Sequence, residues 1–402
     1  MKNFITPFIF VCAAVFVISC SEKSDPDYDK ENFTSIFDNN QFSASYFPID
    51  VKQTPDGGYL ILGERRLLES NFRGVYLMKI DKYGTFINAV EVDEQYVNAI
   101  GDLMIAGGQF YFFCMDGGSL QAQLASVTAD DSVSVTIVPV NGGVTYPAAA
   151  AVEDQGNFIL LSYDHEEKLT VLSKINTSGN MTAAAGFNIG AGDDVEEPII
   201  NHFIRTGKRF PFQVGKLSSG QYFFNGFENY TFSLVFTNAS LSTITGVVQG
   251  QQDDGGFSAV FPLTGNKFAA ARFNFGDNFF LPNVNLATAG PTIGVDLGGN
   301  TLPELISNAP VKIIKAAVNG KNVLVFASDT KSKQIGLFFY DEATGEFLGS
   351  RYLGFSNPFE VANIVQTTDN GLAVCGTTYL AGRFPRICLI KLSKTEFASS
   401  LK

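Results

Sequence analysis

Residues 53–64 read QTPDGGYLILGE, and residues 366–377 read QTTDNGLAVCGT. Between them the same device recurs, a polar turn with glycine or asparagine followed by a short apolar run. It appears at Gly57 before GYLILG, Gly107 before GQFYFFC, Gly156 before NFILLS and Gly220 before QYFFNG, then at Gly265 before NKFAAA, Gly320 before KNVLVFA and Asn370 before GLAVCG. Successive spacings are 50, 49, 64, 45, 55 and 50 residues, a period of about fifty that suits propeller blades and exceeds ankyrin, tetratricopeptide and leucine-rich units. A unit of that size cannot bury its own apolar face, so each must stack on its neighbours.

Within a unit, the second apolar run ends in another turn, as in VYLMKIDKYG (75–84), LTVLSKINTSG (169–179), IGLFFYDEATG (335–345) and ICLIKLSKT (387–395). Runs before the first turn (FPIDVKQT, FEVANIVQT) and after the second (TFINAVEV) supply a first and a fourth strand. YLILG and QYFFNG lack polar alternation, which fits strands covered on both faces. The expected fold is therefore all-β: a seven-bladed β-propeller of four-stranded antiparallel blades over residues 36–402. The best helix candidate is VEEPIINHFIR. The last unit stops after its third strand at KTEFASSLK, so residues 33–47, FTSIFDNNQFSASYF, are expected to supply its outer strand and close the ring.

The blades resemble those of Bacteroidota outer-membrane propeller lipoproteins with DGG-type repeats, which read D-G-G-aromatic-apolar-apolar-x-G and then apolar-K-apolar-D-x-x-G. Asp56-Gly57-Gly58-Tyr59 with Lys79, Asp81 and Gly84 match this pattern, as do Asp369-Asn370-Gly371 with Lys391; the second, fourth and fifth units lack the lysine and aspartate. The resemblance implies a fold rather than an activity.

Residues 1–19 carry one charge, Lys2, and an apolar run from Phe4 to Ile18, too short for the about 20 residues of a membrane span and suited to a secretory signal. Val17-Ile18-Ser19-Cys20 resembles a lipobox, which implies acylation of Cys20 after cleavage. Acyl chains contribute roughly 0.8 kcal/mol per buried methylene and hold a domain to a bilayer without a spanning helix. Residues 20–35, in which SEKSDPDYDKEN follows Cys20, read as a flexible tether. Its acidic residues resemble the signal that sends Bacteroidota lipoproteins to the outer face of the outer membrane, so the expected address is that membrane, lipid-anchored and facing the cell surface, with the periplasmic face as the alternative.

A formal net charge of −12 gives no electrostatic reason to seek nucleic acid. Of five cysteines, Cys12 falls in the leader and Cys20 in the lipobox; the odd remainder, Cys114, Cys375 and Cys388, is no disulfide framework, and Cys375 and Cys388 are read as buried thiols on paired strands. Catalytic signals are thin. TIGVDLGGN (292–300) resembles a sugar-kinase phosphate loop but stands among strands, where a blade connection with Asp296 in its turn fits better. His165 and His202 stand on separate units and make no metal site. There is no G-x-S-x-G elbow and no tryptophan. Asp193, Asp194, Glu196, Glu197, Asp253 and Asp254 are read as loop acids rather than as a glycosidase pair. Asp131-Ser132-Val133 resembles a Bacteroidota O-glycosylation site. No cofactor is expected.

The 64-residue gap accommodates an insertion around NHFIRTGKRFPFQVG, where Arg205, Lys208, Arg209, Phe210 and Phe212 bring basic and aromatic groups together in an acidic chain. They are the candidate partner-binding loop, and GFENY (226–230), GDNFFLPN (276–283) and GFSNPF (354–359) are aromatic loops that can join it. Two functions follow. The first is a non-catalytic accessory or interaction subunit docking on another outer-membrane or surface protein, such as a nutrient-uptake or secretion complex; the alternative is a glycan-binding or glycan-cleaving surface lipoprotein.

Overall fold

The computed structural model describes residues 31–38, 45–190, 193–380 and 384–401; the leader, Cys20 and the tether up to residue 30 lie outside them. The turn chemistry acts as the sequence implies. Gly57, Gly220, Gly265, Gly320 and Asn370 take positive φ between 63° and 88° at the first turn of their units, a conformation that costs glycine nothing and asparagine little. At the second turn, Asp81 Oδ1 accepts from the Tyr83 and Thr85 amides, Asn176 Oδ1 from Ser178 and Asn180, and Asp341 Oδ1 from Ala343 and Thr344.

These turns fold the chain into antiparallel meanders. One runs Pro147–Asp154, Asn157–Asp164, Leu169–Asn176, Met181–Asn188; another runs Val311–Val318, Lys321–Asp329, Ile335–Asp341, Phe347–Leu353. A third, beginning at Gln213–Lys216, gains a parallel fifth strand from Gly290–Ile293, and a fourth, beginning at Gly255–Pro262, ends on Asn300–Thr301. The meanders starting at Tyr46–Gln53 and Met104–Ala106 are joined into one nine-stranded sheet by the two residues Tyr96–Val97. In the sixth sheet, Phe33–Phe37 pairs with Phe384–Leu392, Phe33 opposite Lys391. The segment expected to complete the last unit does so with residues 33–37, while Tyr46 and Phe47 open the next strand.

The first strands of successive meanders pack on one another, and Tyr46–Gln53 packs on Phe359–Gln366, so the sheets close into a ring. This is a β-propeller. The two sequences that resemble each other meet at the closure, where the Thr368 amide donates to Gln53 Oε1 at 2.8 Å. The equivalent Gln366 makes the same kind of contact one step back, accepting from the Ala317 amide at 2.9 Å and donating to its carbonyl at 2.8 Å. Similar sequence thus makes the same junction twice, displaced by one unit.

The repeated lysine and aspartate form a clamp beneath the turn. Lys79 is fully buried and donates to both Asp56 carboxylate oxygens at 2.8 Å, while Asp56 accepts from the Gly58 amide at 2.9 Å. Lys391 repeats this with Asp369 at 3.1 and 2.8 Å, over the Gly371 amide. A buried ammonium is tolerated only because it is paired and hydrogen-bonded. Strands beyond the clamp are apolar throughout: Tyr59 to Leu62 and Val323 to Ala327 are all buried, as expected for sheets covered on both faces.

One helix stands out, Asp193–Phe203, in the position of the best helix candidate. Its Val195, Ile199 and Phe203 join a core cluster that runs from Leu67 to Phe273. No helix among the described residues is long and apolar enough to cross a membrane.

Candidate functional site

Four of the first strands carry a bulge at one register: between Pro48 and Asp50, Pro147 and Ala149, Phe257 and Ala259, and Val361 and Asn363. A bulge bends the strand and re-aims its side chains. In the first and last meanders it turns Asp50 and Asn363, equivalent residues of the repeat, toward each other. Asp50 is fully buried and accepts from the Val51 amide at 2.6 Å, the Leu103 amide at 2.7 Å, Lys52 Nζ at 2.8 Å and Asn363 Nδ2. Burial pulls the Lys52 pKa down, but Asp50 beside it outweighs this and holds the ammonium above its ordinary value.

Lys52, Leu103 and Asn363 line a cavity of about 930 Å³ along the axis of the ring, walled by the first strand of every meander, with Asp50 buried just behind it. Asp102 and Lys312 reach it from opposite parts of the ring, and neither side chain makes a hydrogen bond or ion pair with another described residue. Asp102 is open to the cavity yet enclosed by protein; burial pushes its carboxyl upward, with Lys312 and Lys52 pulling the other way. Sequence reasoning passed over Asp50, Lys52, Asp102 and Lys312. The available signal was a polar residue inside an apolar first strand, as in IDVKQT and PVKII.

Successive strands alternate in direction, so the connections after each second strand and those leading to the next meander emerge at one end of the ring, opposite the QTPDGG-type turns. The insertion lies at that end and crosses from the meander of Pro147–Asn188 to the one that starts at Tyr46. Asn98 Nδ2 donates to the Phe203 carbonyl at 2.8 Å, the Arg205 amide donates to Asn71 at 2.7 Å, and Arg205 Nη1 donates to Leu67 at 3.1 Å. Of the candidate loop residues, Phe210 is buried in an aromatic cluster with Phe227 and Phe232, and Phe212 packs beside it on Phe232 at 5.6 Å. Arg205 is half-buried. Lys208 and Arg209 are exposed; Lys208 Nζ donates to the Asp253 carbonyl at 2.6 Å, and Arg209 lies 3.6 Å from Glu64. Residues 208–212 also border the cavity, so this loop caps it.

The same end carries exposed apolar side chains on short connections: Leu68 (82%), Phe275 (68%), Phe355 (61%), Tyr230 and Ile306. Tyr230 and Phe275 take φ of 71° and 47°, where a bulky residue is strained. Both stand in two-residue hairpin turns, Asn229-Tyr230 and Phe275-Gly276, which need positive φ at both central positions. Of the aromatic loops, GFENY and GFSNPF reach this end with Tyr230 and Phe355, whereas GDNFFLPN is mostly the strand Asp277–Asn285 with Phe280 buried; nothing in the sequence singled out Leu68, Phe275 or Ile306.

The remaining candidates are occupied structurally. Glu196 accepts from Tyr163 Oη at 2.8 Å, meets His165 Nδ1 at 2.5 Å and pairs with Lys168, pinning the helix to the meander of Pro147–Asn188. His202 is buried, accepts from the Phe210 amide at 2.8 Å, and is held neutral by burial. Cys114, Cys375 and Cys388 are free and buried. TIGVDLGGN is a connection: strand, a 3-10 turn at Gly294–Leu297 with Asp296 exposed, then Asn300–Thr301. No cluster that could hold a metal occurs among the described residues.

No family model and no curated protein matches the chain. Among solved structures it is similar to the Dos1 propeller, at 9% identity and a TM-score of 0.49 over 90% of this chain and 95% of that one. It is also similar to the propeller domain of the Pyrococcus furiosus Trilobed protease, at 8% and 0.46 over 89% and 97%. A third is the Pseudomonas aeruginosa periplasmic gluconolactonase PpgL, at 10% and 0.47 over 87% and 97%. Function must therefore be argued from this chain's own residues.

Proposed function

We propose that this chain is a non-catalytic, lipid-anchored accessory subunit at the outer membrane, a propeller of seven blades in which the nine-stranded sheet counts as two. In this reading it belongs with the Bacteroidota lipoproteins its repeats resemble, acyl chains on Cys20 hold it to the bilayer, and it faces the cell surface. The observation that carries the docking role is the set Leu68, Tyr230, Phe275, Ile306 and Phe355, apolar, exposed and gathered at one end of the ring. Exposed apolar groups rimmed by polar ones mark contact surfaces. The chain joins the ring at the other end, where Phe33 lies opposite Lys391, so the tether leaves this surface free for a membrane or surface protein such as an uptake or secretion component.

A glycan-cleaving role needs two carboxylates facing across a cleft; Glu196 is instead spent on Tyr163, His165 and Lys168, and Asp253 faces Lys208. The docking reading is tested by purification from membranes in mild detergent. A stoichiometric membrane partner should co-purify with the wild type and be lost from a Phe275→Ala, Phe355→Ala double variant; no stoichiometric partner at all would sink the reading. Growth with labelled palmitate should label the wild type and not Cys20→Ala.

A further inference from the structure

We propose that the axial cavity binds a small zwitterion, its ammonium group on the Asp102 carboxylate and its carboxylate on the Lys312 ammonium. The charges around the cavity divide into satisfied and unsatisfied groups. Asp50 is filled by two backbone amides, Lys52 and Asn363, and in turn neutralises Lys52 at 2.8 Å. Asp102 and Lys312 are left over: Lys312 and Lys52 both act on Asp102 electrostatically, yet no ion pair joins Asp102 to either. Two opposite charges held apart in an enclosed space are matched by a molecule that carries both signs at a short separation. A simple anion would leave Asp102 unmatched and a simple cation would leave Lys312 unmatched, and a charge that a ligand strips of water without pairing it is costly. A neutral molecule would desolvate both.

The walls between the two charges supply the rest of the site. Ile105, on an innermost strand, keeps 46% of its surface accessible, and Ile313 lines the cavity with it. An apolar side chain attached to the zwitterionic carbon has a surface to lie on. The volume of about 930 Å³ falls within the usual range for small-molecule sites. The chemistry points to an α-amino acid, whose ammonium and carboxylate share one carbon. This inference uses the axis of the ring and is independent of the docking surface at its end.

Saturation-transfer NMR on the detergent-purified full chain, with a millimolar mixture of the common α-amino acids, tests it. The expected result is transfer to one or more of them. The deaminated and decarboxylated analogues of the strongest binder, each keeping a single charge, should bind about tenfold or more weaker. Lys312→Met and Asp102→Asn should each weaken that amino acid by a similar factor, while Lys82→Ala, on an exposed turn at the other end of the ring, leaves it unchanged. Transfer to none of the amino acids overturns the proposal, and so does equal binding of a singly charged analogue to the wild type, a comparison that needs no variant to fold.

Discussion

Asp56 and Asp329 show how one residue type is driven in opposite directions by its surroundings. Burial alone would raise the Asp56 carboxyl, but the Lys79 ammonium, the Thr54 hydroxyl and the Gly58 amide outweigh it and bring it down to about 2. Asp329 accepts one amide, Val361, and burial pushes it up to about 7. A depressed carboxyl contributes stability that is present above its unfolded value near pH 4 and lost as pH falls through about 2; a raised one contributes stability that is present below about pH 4 and lost as pH rises through about 7. Urea denaturation across this range should show both limbs, and Asp329→Asn, which keeps the acceptor, should flatten the loss toward neutral pH. A slope there unchanged in Asp329→Asn would refute the assignment. Asp56→Asn should cost about 1–2 kcal/mol, because the buried Lys79 loses its charge partner while keeping the Thr54 hydroxyl, and the half-exposed Asp56 is partly screened by water; a denaturation midpoint equal to wild type would show that the clamp contributes nothing.

The insertion and the hairpin tips make contrasting elements. The sequence 205–212 looks like a recognition loop because it is basic and aromatic, yet Phe210 and Phe212 serve as the underside of a cap. What set this was the helix Asp193–Phe203 and its landing on Leu67, Asn71 and Asn98, more than ninety residues earlier in the chain. Phe210→Ala should therefore lower stability by about 3 kcal/mol, in the range for removing a buried aromatic, as measured by urea denaturation. Phe275→Gly should not lower the melting temperature, since it relieves a bulky residue at positive φ, while it removes partner co-purification. A stable Phe210→Ala, or a destabilised Phe275→Gly, would reverse the two roles. The joints between meanders follow a similar logic. Asn225, on a second strand, reaches the Phe257 carbonyl of the next meander at 2.9 Å, Asn278 accepts from the Ala309 amide at 2.8 Å, and Asp329 holds Val361. No periodicity announces these residues, because their partners belong to a different unit.

At the scale of the molecule, the last sheet of the ring is completed by five residues from the N-terminal side. Phe33–Phe37 covers the Phe384–Leu392 strand, which would otherwise present an open, apolar edge. Deleting residues 31–38 should lower and broaden the calorimetric transition and bring concentration-dependent self-association; an unchanged transition with a monomeric elution profile would show that the ring closes without this strand. The repeat period, the turn glycines, the lysine–aspartate clamp and the meeting of QTPDGG with QTTDNG were all within reach of the sequence, because each is a local pattern or its direct repetition. The axial pairing of Asp50 with Asn363, the unbridged Asp102 and Lys312, and the burial of Phe210 were decided only by the tertiary structure. Each depends on which distant strand arrives alongside, and residue order within one unit carries no record of its neighbour across the ring.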